Sequence, residues 1–479
     1  MRKAGILMPV SALPDRFGCG SFSENAKRFI DLSQKAGFKI WQILPLNPVG
    51  GDNSPYACYS SYAIDDIYIS LDRLHALGLI HKVPSFHRRD DKVDFQAVRK
   101  FREPYLREAY KNFIPDQNYV VFAYQEWAKN YAMFRTFKKF NHGKCWNDWE
   151  DDFKNQPEEN HLDLKVFQDE IFYQLFLQYE AYIEWKEIKQ YANDRGIEIM
   201  GDIPFYVGLD SADVWSNKKN FLLDKDGKPS FIAGVPPDYF SATGQRWGNP
   251  IYDWEYMKQD GYTFWIERLS YTQRLFDIVR VDHFRAFDTY WKIPASCPTA
   301  MEGSWQEAPG YDFFDHLLAK NPELEIVAED LGLLRPEVLT LRDHYDFRGM
   351  DIVQFNWNSE GMAEKKEHVI CYTGTHDNAT IRTWYASFNN HERRRMRKCL
   401  EKMGFHSHSF MHDILAYVAF SKADRAIVPM SDWLHLGKDG RINCPGTVSC
   451  HNWTWRMKDF QAYSQKVDEI RTLLRRADR

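Results

Sequence analysis

Four carboxylates stand where buried-looking runs of sequence end. Asp282 closes the run Asp277-Ile278-Val279-Arg280-Val281-Asp282-His283-Phe284. Arg280 lies two residues before it, so in an extended strand both side chains leave from one face. A guanidinium at that position favours the ionised, nucleophilic carboxylate. Glu329 follows the apolar run Ile326-Val327-Ala328, where partial burial would keep a carboxyl group protonated. Asp377 sits in Thr375-His376-Asp377-Asn378, and Asp202 ends Ile197 to Gly201. Carboxylates at the ends of buried runs are costly unless paired or used. One ionised and one protonated carboxyl group facing a sugar meet the needs of retaining glycoside chemistry. The first attacks the anomeric carbon; the second protonates the leaving oxygen and then activates the incoming acceptor. Asp377, between His376 and Asn378, can grip hydroxyls and stabilise an oxocarbenium-like transition state.

Other chemistries find little support. His283 and His376 lie near carboxylates, but no His-x-x-x-His pair or cysteine cluster accompanies them, so no metal and no cofactor is expected. There is no glycine-rich phosphate loop. The net charge is -5 with signs mixed and no basic stripe, which argues against nucleic acid. No run of about 18 apolar residues exists, so no membrane span is expected. Met1 to Val10 briefly imitates a signal peptide, but Pro9, Pro14 and Asp15 break it. The 8 cysteines form no Cys-x-x-Cys pair and read as mostly buried free thiols. A cytoplasmic protein is expected. Aromatic residues reach 16%, with 16 Trp and 26 Tyr, a supply of planes on which sugar rings stack.

Something must hold these strand ends together. Eight apolar runs bounded by Gly, Pro or Asp recur: Ala4 to Val10, Lys39 to Leu46, Ile197 to Phe205, Ile278 to Phe284, Glu325 to Asp330, Asp351 to Phe355, Val369 to Thr373 and Arg425 to Met430. They read as strands buried on both faces. Eight strands with catalytic groups at their ends describe an α/β TIM (β/α)8 barrel, and 479 residues suit one barrel spanning 1–479. Ser23 caps a helix that Gly37 ends. Asp169 to Asp194 is an amphipathic helix with Ile171, Phe172, Leu175, Phe176, Tyr179, Tyr182 and Trp185 on one side. Residues 60–190 read as a helical insertion, and 206–260 as a loop-rich insertion carrying an active-site lid. Met457 to Arg479 reads as a closing helix, which leaves no C-terminal β-domain.

At these residues the chain resembles glycoside hydrolase family 77, the 4-α-glucanotransferases, also called amylomaltases or disproportionating enzymes. The matching segments run the length of the sequence: Ser11-Ala12-Leu13-Pro14, Trp41 to Leu46, Asn53-Ser54-Pro55-Tyr56, Gly201 to Phe205, Gly234 to Phe240, Thr243 to Pro250, Arg280 to Arg285, Ala328 to Gly332, Thr375 to Asn378, Asn443 to Thr447 and Asn452 to Arg456. The resemblance implies that Asp282 is the nucleophile, Glu329 the acid/base and Asp377 the transition-state stabiliser. It implies substrate-binding roles for Asp202, Arg280, His283, His376 and Asn443. Tyr56 and Trp247 would shape the acceptor side. The substrates would be α-1,4-glucan donors and acceptors, maltodextrins and glucose. Ile64-Asp65-Asp66 and Arg246 depart from the pattern and bear on acceptor preference. In the stretch Gly234–Asn249, glycines permitting motion and the planes of Tyr239 and Trp247 suit a lid that excludes water and favours transfer. The alternatives are an α-glucan hydrolase and a non-catalytic glycan-binding barrel.

Overall fold

The structure, a computed structural model, describes residues 2–83, 86, 91–237, 241–358, 361–362 and 367–479. Eight parallel strands form its centre: β1 (Lys3–Leu7), β2 (Ile40–Gln42), β3 (Glu198–Ile203), β4 (Ile278–Val281), β5 (Ile326–Ala328), β6 (Gly349–Ile352), β7 (Val369–Tyr372) and β8 (Arg425–Pro429). Their order is β6-β7-β8-β1-β2-β3-β4-β5. A parallel bridge between Val327 and Arg348, beside β5 and β6, closes the ring. Each of the eight expected runs overlaps one strand, a TIM barrel as read from the sequence, though β6 starts two residues before its run and shares only Asp351 and Ile352 with it. Nearly every strand position is buried, which is why the runs are continuously apolar rather than alternating.

The strands stop earlier than the apolar runs do. β2 ends at Gln42 rather than Leu46, β4 at Val281 rather than Phe284, and β6 turns into a short helix at Val353. In β4 the reason is local: His283 adopts φ 52°, a left-handed conformation that a strand cannot continue through. The residues beyond each strand end are thus freed to face the top of the barrel.

Helices pack outside as the caps foretell. Ser23 accepts from Asn25 N–H at 3.3 Å, and Gly37, at φ 96°, ends Glu24–Ala36. The helix Gln168–Asn193 is buried more broadly than an amphipathic stripe. Glu170, Glu180 and Glu184 are buried in it, whereas Phe172 is exposed, against expectation. The helix is sandwiched between the barrel and the helices Phe95–Asn112, Gln117–Ala123 and Glu126–Phe140, so it has two inner sides. Its buried acids find partners: Glu184 accepts from Ser70 N–H at 2.7 Å and Glu170 pairs with Arg107 at 2.8 Å. The closing helix spans Gln461–Arg476 and packs on Glu24–Ala36, with Ser33 and Tyr463 hydroxyls 2.9 Å apart.

The segment 206–260 contains more order than loops. Phe231–Val235 and Gln245–Pro250 pair antiparallel, and Thr289–Pro294 and Ser304–Glu307 extend them into a four-stranded sheet beside the barrel. Gly and Pro hide these short strands from a periodicity reading, and half of the sheet comes from beyond β4. Two glycines serve close pairing here rather than motion. A Cβ on Gly234 would lie 2.1 Å from the Gln245 carbonyl oxygen, and one on Gly244 would lie 2.4 Å from that of Val235. Only Gly248 of the three stands in open space. Tyr239 lies outside the described residues. All 8 cysteines among the described residues are free, four of them buried.

Gly201 shows how tightly the barrel wall sets the site. It precedes Asp202 in β3, and a Cβ there would lie 2.1 Å from the Phe276 ring. Gly201→Ala is expected to destabilise the fold by about 1–3 kcal/mol through overpacking, read as a lowered midpoint in denaturant unfolding.

Candidate active site

Register brings the first charges together. Asp202 on β3 is directly opposite Arg280 on β4, so both side chains share a face of the sheet. Both are buried. Arg280 Nη1 donates to the two Asp202 oxygens at 2.6 and 2.7 Å, while Nη2 donates to Asp282 Oδ1 at 3.0 Å. Asp282, just past the end of β4, keeps 31% of its side chain open to the cleft.

Glu329 follows β5, the next strand round. One of its oxygens accepts from the His283 backbone N–H at 2.8 Å, a bond made possible by the left-handed turn at His283. Backbone bonds Asp282 N–H to Ile203 O, Glu329 N–H to Val281 O and Phe284 N–H to Glu329 O lock the three strand ends together. Asp330, in contrast, turns inward: it accepts from Met350 N–H at 2.7 Å and pairs with Arg342, which anchors the loop.

The third carboxylate is reached through a chain of contacts. Tyr56 donates to Asp202 at 2.7 Å and its hydroxyl lies 3.0 Å from His376 Nε2. The same His376 nitrogen is 3.5 Å from Asp377, and Asn443 donates to Asp377 at 2.7 Å. Asp202, Arg280, Asp282, Tyr56, His376, Asp377 and Asn443 therefore form one connected network. Trp247 stands edge-on to His283, ring centres 4.9 Å apart. A cavity of about 380 Å³ opens here, lined by Tyr56, Tyr206, Trp247, Asn249, Asp282 and His283 among others. A larger cavity, about 820 Å³, opens between the loop at Pro48–Gly51 and the helical insertion, next to Tyr59 and Arg135. It holds none of the strand-end carboxylates, so the chemistry belongs to the smaller one.

The electrostatics separate the two central carboxyl groups. Burial pushes Glu329 up to about 8, helped by the nearby charge of Asp282 and opposed by Arg280. Burial also lifts Asp282, but Arg280 opposes it and the group reaches only about 6. Arg280 thus keeps Asp282 ionised near neutrality without bringing it below the ordinary carboxylate range, because the site is deep and Asp202 takes its closest contacts. His283 is driven down to about 3 by burial and by Arg285, so its imidazole is neutral. Among the described residues no cluster of three or more His, Cys, Asp or Glu is arranged to hold a metal ion.

Known proteins resemble the chain over its whole length. The glycoside hydrolase family 77 model, described as 4-alpha-glucanotransferase, matches residues 8–462. A 4-alpha-glucanotransferase of Synechocystis is 40% identical over 95% of this chain and 94% of its own length. One from Thermus thermophilus is 36% identical over 100% and 99%. The solved amylomaltase of Streptococcus agalactiae, in complex with acarbose, is 33% identical and superposes with a TM-score of 0.92, covering 99% of each chain. The chain belongs to the 4-alpha-glucanotransferases. It is a glycosyltransferase acting on α-1,4-glucans, built on a TIM barrel.

In this glucanotransferase the structure brings together all ten residues singled out from the sequence. The departures from the family pattern fall elsewhere. Ile64 is in the core with its N–H and C=O held by Gln178, Asp65 is clamped by Arg99, and Arg246 donates to the Ala295 carbonyl just past Thr289–Pro294. Two residues at the site escaped the sequence reading. Trp453 packs on both Tyr56 and His376, ring centres 5.7 and 5.8 Å away. Tyr206 lines the cavity with its hydroxyl buried and without a protein partner. No local spacing signals either, since Trp453 is 77 residues from His376 in sequence. Removing the buried anion should expose how much Arg280 depends on it. Asp202→Ala is expected to cost about 3–5 kcal/mol, measured by denaturant unfolding, because it leaves a buried guanidinium with one partly exposed partner.

Proposed function

We propose that this chain moves α-1,4-glucan segments from maltodextrin donors to glucose or maltodextrin acceptors, with Asp282 as nucleophile, Glu329 as acid/base and Asp377 as transition-state stabiliser. The observation that carries the assignment is the split between two neighbouring carboxyl groups, one near 6 and one near 8. At neutral pH Asp282 is the anion that can attack, and Glu329 holds the proton the leaving oxygen needs. Asp282 displaces the leaving segment and forms a glycosyl ester. Glu329, now a base, deprotonates the acceptor hydroxyl that attacks the ester. Asp377, held by Asn443, faces the positive charge that develops at the sugar ring in both steps.

Asp202, Arg280, His283 and His376 build the donor side, with Asp202 acting from below through Arg280, and Tyr56 and Trp247 shape the acceptor side. The helical segment 60–190 and the segment 206–260 act as insertions on one catalytic unit, and Trp247 on Gln245–Pro250 shields the cleft from water. The free thiols fit a reducing compartment, in keeping with a cytoplasmic enzyme.

Maltotriose alone should yield glucose plus a ladder of longer maltodextrins, resolved by chromatography, and Asp282→Asn should abolish the ladder while leaving the melting curve in place. Glucose and maltose without longer products would mean hydrolysis; a ladder from the Asn variant would remove Asp282 from its role.

The pH profile follows from the same pair. Activity rises as Asp282 loses its proton near pH 6 and falls as Glu329 loses its proton near pH 8, so kcat/KM should be bell-shaped with an optimum at about 7. The two limbs belong to the interacting pair rather than to either group alone. Initial rates on maltotriose from about pH 5 to about 10 test it. A profile flat through pH 8 would show that Glu329 is not held protonated.

A further inference from the structure

The antiparallel sheet beside the barrel carries a tryptophan on each edge. Trp247, on Gln245–Pro250, stands at His283 inside the catalytic cavity. Trp305, on Ser304–Glu307, is at the opposite edge and is 41% exposed. Three strand spacings separate the two edges, roughly 14 Å. Trp305 pairs with Trp291 on the adjacent strand, the rings 5.1 Å apart and edge-on. That contact braces the indole. Its face carries the Arg285 guanidinium, 4.1 Å from the ring centre. The ring is thus held rigid on two sides while a large part of it meets solvent.

Arg285 joins this ring to the chemistry. It stands three residues after Asp282, and its Nη1 donates to the Leu333 carbonyl at 2.8 Å. Leu333 stands four residues after Glu329, just past a left-handed Gly332, and is 85% exposed. Arg285 therefore clips the loop behind the acid/base to the loop behind the nucleophile. Its Nε is buried without a protein partner, and the carboxylates of Asp288 and Glu329 both act on its charge. The product is a rim with a flat aromatic ring, an exposed aliphatic side chain and a guanidinium. Such a rim suits the alternating C–H faces and hydroxyls of a sugar chain.

We infer that Trp305, Arg285 and Leu333 form an outer acceptor-side subsite that binds glucose rings of long α-1,4-glucan chains. The side follows from Glu329: the group that protonates the leaving oxygen faces the leaving-group half of the scissile bond, which the acceptor later fills. This step rests on Glu329 being the acid/base. Trp247 serves the ring next to the scissile bond, whereas Trp305, on the sheet face that Trp291, Gly234 and Arg246 share by register, is reached only by an acceptor of several rings that passes over the Arg285–Leu333 rim. The subsite therefore sets chain-length preference rather than the chemical step.

The test compares acceptors with one saturating donor. Trp305→Ala is expected to raise KM for maltoheptaose about three- to tenfold more than KM for glucose, the loss of one stacking plane. The product ladder from maltotriose should shift toward shorter chains. Trp305→Phe should recover most of the preference. If the alanine variant melts too low to assay, Trp305→Leu keeps the apolar contact with Trp291 and removes the plane, and the same comparison applies. Equal changes in the two KM values, or none, would overturn the subsite. Failure of the acid/base assignment is read separately, as a Glu329→Gln enzyme that retains turnover.

Discussion

Arg280 is a cation inside a barrel wall, and its two carboxylates determine what the rest of the site can be. Asp202 takes the shorter bonds and is itself buried, so it neutralises the guanidinium. Asp282 takes the second nitrogen and stays partly open to the cleft. A buried pair of this kind is weak support for stability, because desolvation consumes much of the attraction. Its value here is positional. With Asp202 and Arg280 facing each other in register, the Asp282 carboxylate is held by a donor that cannot move without breaking the wall.

The same constraint explains the ionisation of the pair. Two carboxyl groups in a deep cleft both rise, and both cannot be charged cheaply. Arg280 decides which of them keeps the charge. It touches Asp282 directly and acts on Glu329 only through space. Glu329 instead receives one backbone N–H from His283, a weaker stabilisation of its anion. The division into a more acidic and a less acidic carboxyl group thus comes from which of them the guanidinium can reach, a consequence of β4 ending at Val281 and the chain turning at His283.

The barrel was legible in the sequence because strands buried on both faces must be apolar throughout, and four of the eight runs led into a carboxylate. The carboxylates were legible for the same reason. The strand ends were read too long, because apolar residues continue beyond the last ladder bond, as Phe284 does under the loop. The helix Gln168–Asn193 was found at nearly its true limits, but Phe172 was placed inward, because spacing within one helix says nothing of a second layer packed over it. The four-stranded sheet was missed, since its halves lie on either side of β4 in sequence and its strands are punctuated by Gly and Pro. Trp453 and Tyr206 were missed because their roles depend on contacts between distant segments.

Those distant contacts carry a consequence for assembly. Tyr56 comes from the loop after β2, His376 and Asp377 from the loop after β7, and Asn443 and Trp453 from the loop after β8. The barrel closes between β8 and β1, where the two ends of the chain meet, and Arg456 and Met457 there bond back to Asp15 and Ala12. Trp453 sits at that seam with φ 66°, its N–H bonded to the Ile442 carbonyl and its ring on Tyr56 and His376. Asp377 is thus placed by residues that arrive only when the last strand has docked. Asp282 and Glu329 are placed by β3, β4 and β5, which neighbour one another in the ring. Half of the catalytic centre is therefore local to one wall of the barrel, and the other half is assembled by closing it. Tyr56, bonded at once to Asp202 and to His376, is where the two halves are joined.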